Sequence, residues 1–448
     1  MDATIAAVIM LGLLVFIAHG LESLFARTKI PDVLILLCIG LVLGPLTGLV
    51  LPEHMGNVAP VFTTLTLVII LFEGGLGLKL KTLGRSLVGA TGLTVWNFVA
   101  TLAIVAPIAR YAIGMDWLPA LILASTLGGT SSAVIIPVVK HLALGEKAKT
   151  ILTLESALSD VLVLVVSLTF LGAMVQGDAG NIRIGPIIGD MISKFLTAGL
   201  LGCVAGLFWS LALHWLHGLK KSIFTTPAFV LVVYGIAESL DFSGAIAALL
   251  MGITLGNVGA LPRSLLKGRE DMFENPTETE VAVFEEVAFL LKTLFFVYIG
   301  ISIKLDEPML IIAGMGITVA LLLLRVPVVH ASLIPSASFS RFEAAISGAM
   351  NPKGLAAAVA ASIPLHREMQ LGKEGAFAGK QIQLTVFAVV LFTIVATSLL
   401  VFLIERGWFH PFSKVLYGRY KDHPDVEETE PMTLSDSGAH QGAGEDAP

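Results

Sequence analysis

Thr126-Leu-Gly-Gly-Thr-Ser-Ser-Ala133 is the stretch whose reading decides the fold, and it lies near the middle of an apolar segment covering residues 117–140. Two glycines followed by three hydroxyl residues are poor helix formers, so the segment is expected to break there. A second stretch behaves alike. Gly348-Ala-Met-Asn-Pro-Lys-Gly354 interrupts the apolar segment 342–365, where Pro352 lacks a backbone donor and Gly354 relaxes the chain. Two ordinary kinks would leave the same trace. Interrupted helices at corresponding places in two halves nevertheless point to an inverted-repeat transporter, with half-helix ends gathered around a site at mid-membrane depth.

Composition sets the same frame. The chain is 55% hydrophobic and 14% charged, with a mean hydropathy of +0.87, which excludes an ordinary soluble domain and indicates an all-α polytopic membrane protein in the lipid bilayer. Cys38 and Cys203 both lie in apolar runs, so neither a disulfide framework nor a thiolate metal site is expected. The start Met-Asp-Ala-Thr has no basic region, and the first apolar run is expected to be a retained helix rather than a cleaved signal. No nucleotide loop, zinc signature or intramembrane protease motif is present, so no enzyme, cofactor or nucleic-acid partner is expected.

Segments of about 20 apolar residues predict thirteen spans: 3–24, 30–50, 57–78, 86–113, 117–140, 148–174, 186–216, 223–240, 243–259, 280–303, 308–333, 342–365 and 382–405. Loops after odd-numbered spans, with the C-terminal tail, hold 18 Lys and Arg against 6 in the others. That asymmetry puts the N-terminus outside and the C-terminus in the cytoplasm of a cell (inner) membrane. Spans one to six and eight to thirteen are expected to form two inverted six-helix repeats, each with one discontinuous helix. The expected units are 1–147, with its break at 128–132; an ion-site helix, 148–174; a linker helix, 175–222; a second repeat, 223–406, with its break at 350–354; and an acidic, disordered tail, 407–448. A charged loop at Lys267–Thr279 is expected to hold a short interfacial helix.

The sixth span carries Thr153-Leu-Glu-Ser-Ala-Leu-Ser-Asp160, with two carboxylates at membrane depth. Each charge there costs roughly 2.5 to 3.5 kcal/mol even on lenient scales, so it is kept only if paired, hydrated or used. Ser156 and Asp160 share one helical face, Glu155 and Ser159 another, and Glu155 and Asp160 diverge. Asp160 is therefore expected to face an aqueous cavity, and Glu155 to face protein. Arg325, in span eleven, is charged at any working pH and needs an anion; Glu155 is its natural partner. Lys353, at the second break, balances either half-helix dipoles or a carboxylate, and Asn351 lies beside it. Glu73, in span three, belongs either to the ion site or to a membrane face, and Asn97 is expected to hydrogen-bond another core helix.

With Glu155-Ser-Ala-Leu-Ser-Asp160, Thr130-Ser-Ser132, Phe295-Phe-Val-Tyr-Ile-Gly300, Arg325 and Asn351-Pro-Lys-Gly354 in view, the chain resembles the cation:proton antiporter superfamily, in particular its sodium/proton exchanger branch. The resemblance covers nearly all of the membrane region. It implies a homodimer with a moving core in which the two discontinuous helices cross, serving pH homeostasis and sodium transport. It implies that Asp160 holds the transported monovalent cation or the proton, that Glu155 pairs with Arg325, and that Thr130, Ser156 and Glu73 lie at or near the ion, with Ser131 and Ser159 beside them. Three positions depart from the family pattern: Ser159 precedes Asp160 where Asn or Asp is common, Ser131 stands where an acid is frequent, and Lys353 replaces an arginine. A single aspartate with an arginine in span eleven suggests electroneutral exchange of Na+ (or Li+ or K+) for H+. The rival on the same fold is a sodium-coupled symporter of an organic anion.

Overall fold

The computed structural model describes residues 12–13, 16–17, 19–20, 32–50, 58–77, 80–175, 184–215, 224–240, 242–260, 276–303, 307–333, 339–372 and 375–420. Among them there is no β-strand. In chain order the helices are α1 (Asp32–Leu41), α2 (Val58–Gly77), α3 (Leu80–Ile108), α4 (Trp117–Thr126), α5 (Ser132–His141), α6 (Glu146–Val175), α7 (Ile184–Trp215) and α8 (Thr225–Ser239). They continue as α9 (Gly244–Gly256), α10 (Glu278–Ser302), α11 (Pro308–Leu333), α12 (Arg341–Ala349), α13 (Leu355–Leu371), α14 (Gly379–Glu405) and α15 (His410–Leu416). A π-helical turn extends α1 through Val42–Leu46 and another extends α3 through Ala109–Ile113.

Each sequence segment from 30–50 to 382–405 coincides with one of these helices, or, at 117–140 and 342–365, with a pair of half-helices. The first segment lies almost wholly outside the described residues, as do the charged loop through residue 275 and the tail beyond 420. Among the described residues, five stretches are long and apolar enough to cross a membrane alone: Val88–Ile113, Glu146–Val175, Leu196–Leu213, Pro308–Leu333 and Gly379–Glu405. At about 1.5 Å per residue, the 30 residues of α6 exceed a hydrocarbon core of roughly 30 Å.

Small residues set how closely the helices approach. In α9 a Cβ on Gly252 would overlap the carbonyl of Phe72 in α2, and one on Gly202 of α7 would overlap the carbonyl of Ala247. The α2–α9–α7 layer is thus held at backbone contact, the usual device where no water drives helices together. The same device joins α1 and α10: Cβ atoms on Gly40 and Gly300 would each enter the other helix's backbone. Beside this layer, α6 packs against α3, α4, α5 and α13, and α13 against α14. The alanine-rich start of α13, Leu355–Ala361, is buried throughout and lets that central group close.

The tail from residue 407 was expected to be disordered, but α15 forms and Tyr417 and Tyr420 are buried in the same cluster as Val328, Val329 and Ile346. Two aromatic side chains give this basic segment an apolar face to bury, which its polar composition as a whole conceals.

Candidate functional site

The two breaks meet. Between α4 and α5 the chain runs through Leu127–Ser131, and between α12 and α13 through Met350–Gly354, both buried. The backbone N–H of Ser131 donates to the carbonyl of Pro352 at 2.8 Å, and a Cβ on Gly354 would overlap the Ser131 side chain. Only glycine at 354 allows this approach. The crossing brings two negative helix ends, those of α4 and α12, together with two positive ones, those of α5 and α13.

Buried side chains satisfy the groups that the breaks release. Lys353, with no exposed surface, donates from Nζ to the carbonyl of Gly129 at 2.7 Å and to Asn351 Oδ1 at 2.8 Å. Asn351 Nδ2 donates to the carbonyl of Leu321 at 3.2 Å, and Asn97 Nδ2 to the carbonyl of Gly128 at 3.1 Å. From α14, Thr393 Oγ1 accepts the N–H of Lys353 at 3.0 Å and Thr397 Oγ1 donates to the carbonyl of Ala349 at 3.1 Å. Sequence reasoning missed both threonines; their signal is a pair of hydroxyls four residues apart in an apolar helix.

The carboxylates of α6 have different surroundings. Glu155 has no exposed surface and is gripped by Arg325, likewise fully buried, through Nη1–Oε1 at 2.5 Å and Nη2–Oε2 at 2.7 Å. Arg325 Nε also donates to the carbonyl of Ser347 at 3.0 Å, so one guanidinium ties α11, α6 and α12 together. Asp160 is half-buried, and its Oδ2 accepts from the hydroxyl of Ser132 at 2.8 Å. Ser132 is the first residue of α5, which sets Asp160 beside that helix's positive end. The sequence offers three consecutive hydroxyls, Thr130, Ser131 and Ser132, and only the fold shows that Ser132 is the one that reaches Asp160.

The other expected ligands divide. Ser159 Oγ accepts the N–H of Thr130 at 2.9 Å and donates to the carbonyl of Ser156 at 2.9 Å, with Thr130 Oγ1 at 3.3 Å. It therefore staples α6 to the first break. Ser156 Oγ donates to the carbonyl of Thr153 at 2.9 Å. Ser131 lies at the crossing with its hydroxyl buried and without a hydrogen-bond partner in the structure. Glu73 is elsewhere: it lines a cavity of about 270 Å3 with Leu76, Gly256, Pro276, Val281 and Glu285, and none of the crossing residues is among those lining it. The site thus gathers Asp160, Ser131, Ser132, Thr130, Ser156 and Ser159, with Lys353 and Asn351 at the crossing and Glu155–Arg325 behind it.

The family model described as sodium/hydrogen exchanger, transmembrane, matches residues 11–406. A K+/H+ antiporter, NhaP2, from Shewanella sp. (strain ANA-3) is 23% identical over 336 residues, covering 73% of this chain and 55% of the relative. The K+/H+ antiporter NhaP of Alkalimonas amylolytica is 25% identical over 347 residues, 75% of this chain and 56% of its own. This chain therefore spans little more than half the length of those K+/H+ relatives. A probable Na+/H+ antiporter of Methanocaldococcus jannaschii is 27% identical over 326 residues, 66% of this chain and 70% of its own. Among solved structures, the sodium proton antiporter MjNhaP1 from the same organism superposes with a TM-score of 0.73 at 20% identity, over 93% of this chain and 100% of that one. The last likeness is one of fold.

Proposed function

The chain belongs to the sodium/hydrogen exchanger family, and from that membership we propose that it exchanges Na+ (or Li+ or K+) for H+ by alternating access, with cation and proton competing for Asp160. The carrying observation is that the buried cations near the crossing are already engaged: Arg325 by Glu155 and Lys353 by Gly129 and Asn351. Among the described residues, half-buried Asp160 has a hydrogen bond only from the neutral hydroxyl of Ser132. A carboxylate without a fixed counter-ion at membrane depth is balanced by whatever enters: a monovalent cation or a proton. Ser131, with its hydroxyl unengaged, is a ready oxygen ligand, whereas Ser159 and Thr130 are occupied in holding the break. Glu155–Arg325 is a structural pair.

Several finer parts of the reading are proposals of the same kind. They are thirteen spans in two inverted repeats joined by the 175–222 linker, an outside N-terminus and cytoplasmic C-terminus, and a homodimer. One exchangeable carboxylate at the crossing supports electroneutral one-for-one exchange, and Glu73, in its separate cavity, adds no second charge there. The relatives' names cover both K+ and Na+, so cation choice is a matter for assay.

The test is purified protein in proteoliposomes carrying a pH gradient and a pH-sensitive dye. Addition of Na+, K+ or Li+, with no organic substrate, is expected to dissipate the gradient in the wild type and not in Asp160→Asn. Full pH-dependent exchange by Asp160→Asn would sink the reading; a requirement for an organic anion would favour the symporter.

A further inference from the structure

We propose that Tyr417 is a positioning residue for the exchange site: the chain folds back after α14 and seats its phenol against Gly348, fixing the half-helix α12 that ends at the second break. This rests on the exchange reading above. After α14 closes at Glu405, α15 turns the chain under α11 and α12, and Tyr417 and Tyr420 are 2% and 7% exposed. The Tyr417 ring stacks on His330 of α11 with centroids 5.4 Å apart and planes 10° apart, and Tyr420 meets the same ring edge-on at 5.5 Å. Tyr420 Oη donates to the carbonyl of Val329 at 3.4 Å, and Arg341 Nη2, at the start of α12, donates to the carbonyl of Tyr420 at 3.4 Å. The segment thus holds α11 and α12 at once.

The fit at Gly348 is specific. A Cβ there would overlap the Tyr417 hydroxyl, so the phenol occupies the space that a side chain at 348 would take. Gly348 lies between two residues of the site's frame. The carbonyl of Ser347 accepts from Arg325 Nε, and that of Ala349 accepts from Thr397. Displacing α12 at Gly348 therefore pulls on the Arg325–Glu155 pair, and through it on α6, which carries Asp160. Burial pushes both phenols up to about 12, against the opposing charge of Arg325 at Tyr417, so the contact stays neutral and does not itself titrate at working pH.

The test compares wild type, Tyr417→Ala, Tyr417→Phe, Gly348→Ala and the Gly348→Ala/Tyr417→Ala double variant in proteoliposomes, with melting temperature measured in detergent. Tyr417→Ala is expected to raise the apparent KM for the cation about tenfold, the scale of a misplaced ligand set, and to move the pH profile. Tyr417→Phe, which keeps the ring, recovers most of the loss. Gly348→Ala is expected to be impaired, or to accumulate poorly, and Tyr417→Ala in the same chain to relieve that defect. An unchanged KM and pH profile in Tyr417→Ala would overturn the proposal, and so would a Gly348→Ala defect equal in both backgrounds. If the wild type itself moves no protons on cation addition, the exchange reading fails; the Gly348–Tyr417 complementarity is then still read from accumulation and melting temperature.

Discussion

Glu155 and Arg325 have no exposed side-chain surface and are joined by two hydrogen bonds, so removing either partner leaves the other charged in a dry site. Glu155→Gln and Arg325→Met are each expected to destabilise the protein by about 3–5 kcal/mol, read as a lower melting temperature in detergent. The double variant should cost less than the sum, because it leaves no lone charge. Detergent stability unchanged in both single variants would refute a structural role. This pair was legible from the chain because an arginine cannot shed its charge. Ser159 was not. A serine next to Asp160 reads as an ion ligand, yet its oxygen receives the N–H of Thr130, a donor that exists only because the helix breaks there. Ser159→Ala strands that buried donor and is expected to cost about 1–3 kcal/mol, lowering the melting temperature more than cation affinity. Glu73 shows the same limit: α2 places it at a cavity of its own, and sequence carries no measure of which neighbour a helix face will meet.

The broken helices are the elements on which exchange depends, and glycine at 354 is what lets them cross. Gly354→Ala would drive a methyl group into the Ser131 side chain. Cation-dependent dissipation of a pH gradient is expected to fall to background in this variant, and Ser131→Gly in the same chain should restore part of it. If Gly354→Ala exchanges normally, the crossing is not as tight as described. Both interruptions were legible, since Gly128-Gly129 and Pro352 with Gly354 weaken a helix by known local physics. That they cross followed only from the family resemblance, because the contact itself, the bond from Ser131 to Pro352, joins residues more than 200 positions apart and leaves no local signal. The element missed outright was α15. Judged by the composition of the whole tail, residues 407–420 look like the start of a disordered segment; only the burial of Tyr417 and Tyr420 distinguishes them.

At the scale of the molecule, a close-packed layer of α2, α7 and α9 lies alongside a bundle built on the crossing, and the ion-site helix α6 belongs to the bundle. One exchangeable carboxylate, with Arg325 paired to Glu155 and Lys353 hydrogen-bonded to Gly129 and Asn351 rather than to Asp160, predicts that each cycle carries no net charge. An imposed membrane potential of either sign should therefore leave the exchange rate unchanged, and a rate that follows the potential would exclude one-for-one exchange. The most direct test of the central claim is the apparent KM for the cation measured in proteoliposomes across a range of pH, with the potential clamped to zero. Competition at Asp160 predicts that KM rises steadily with proton concentration while the maximal rate, at saturating cation, changes little. A KM independent of pH, with only the maximal rate responding, would contradict a shared site for cation and proton.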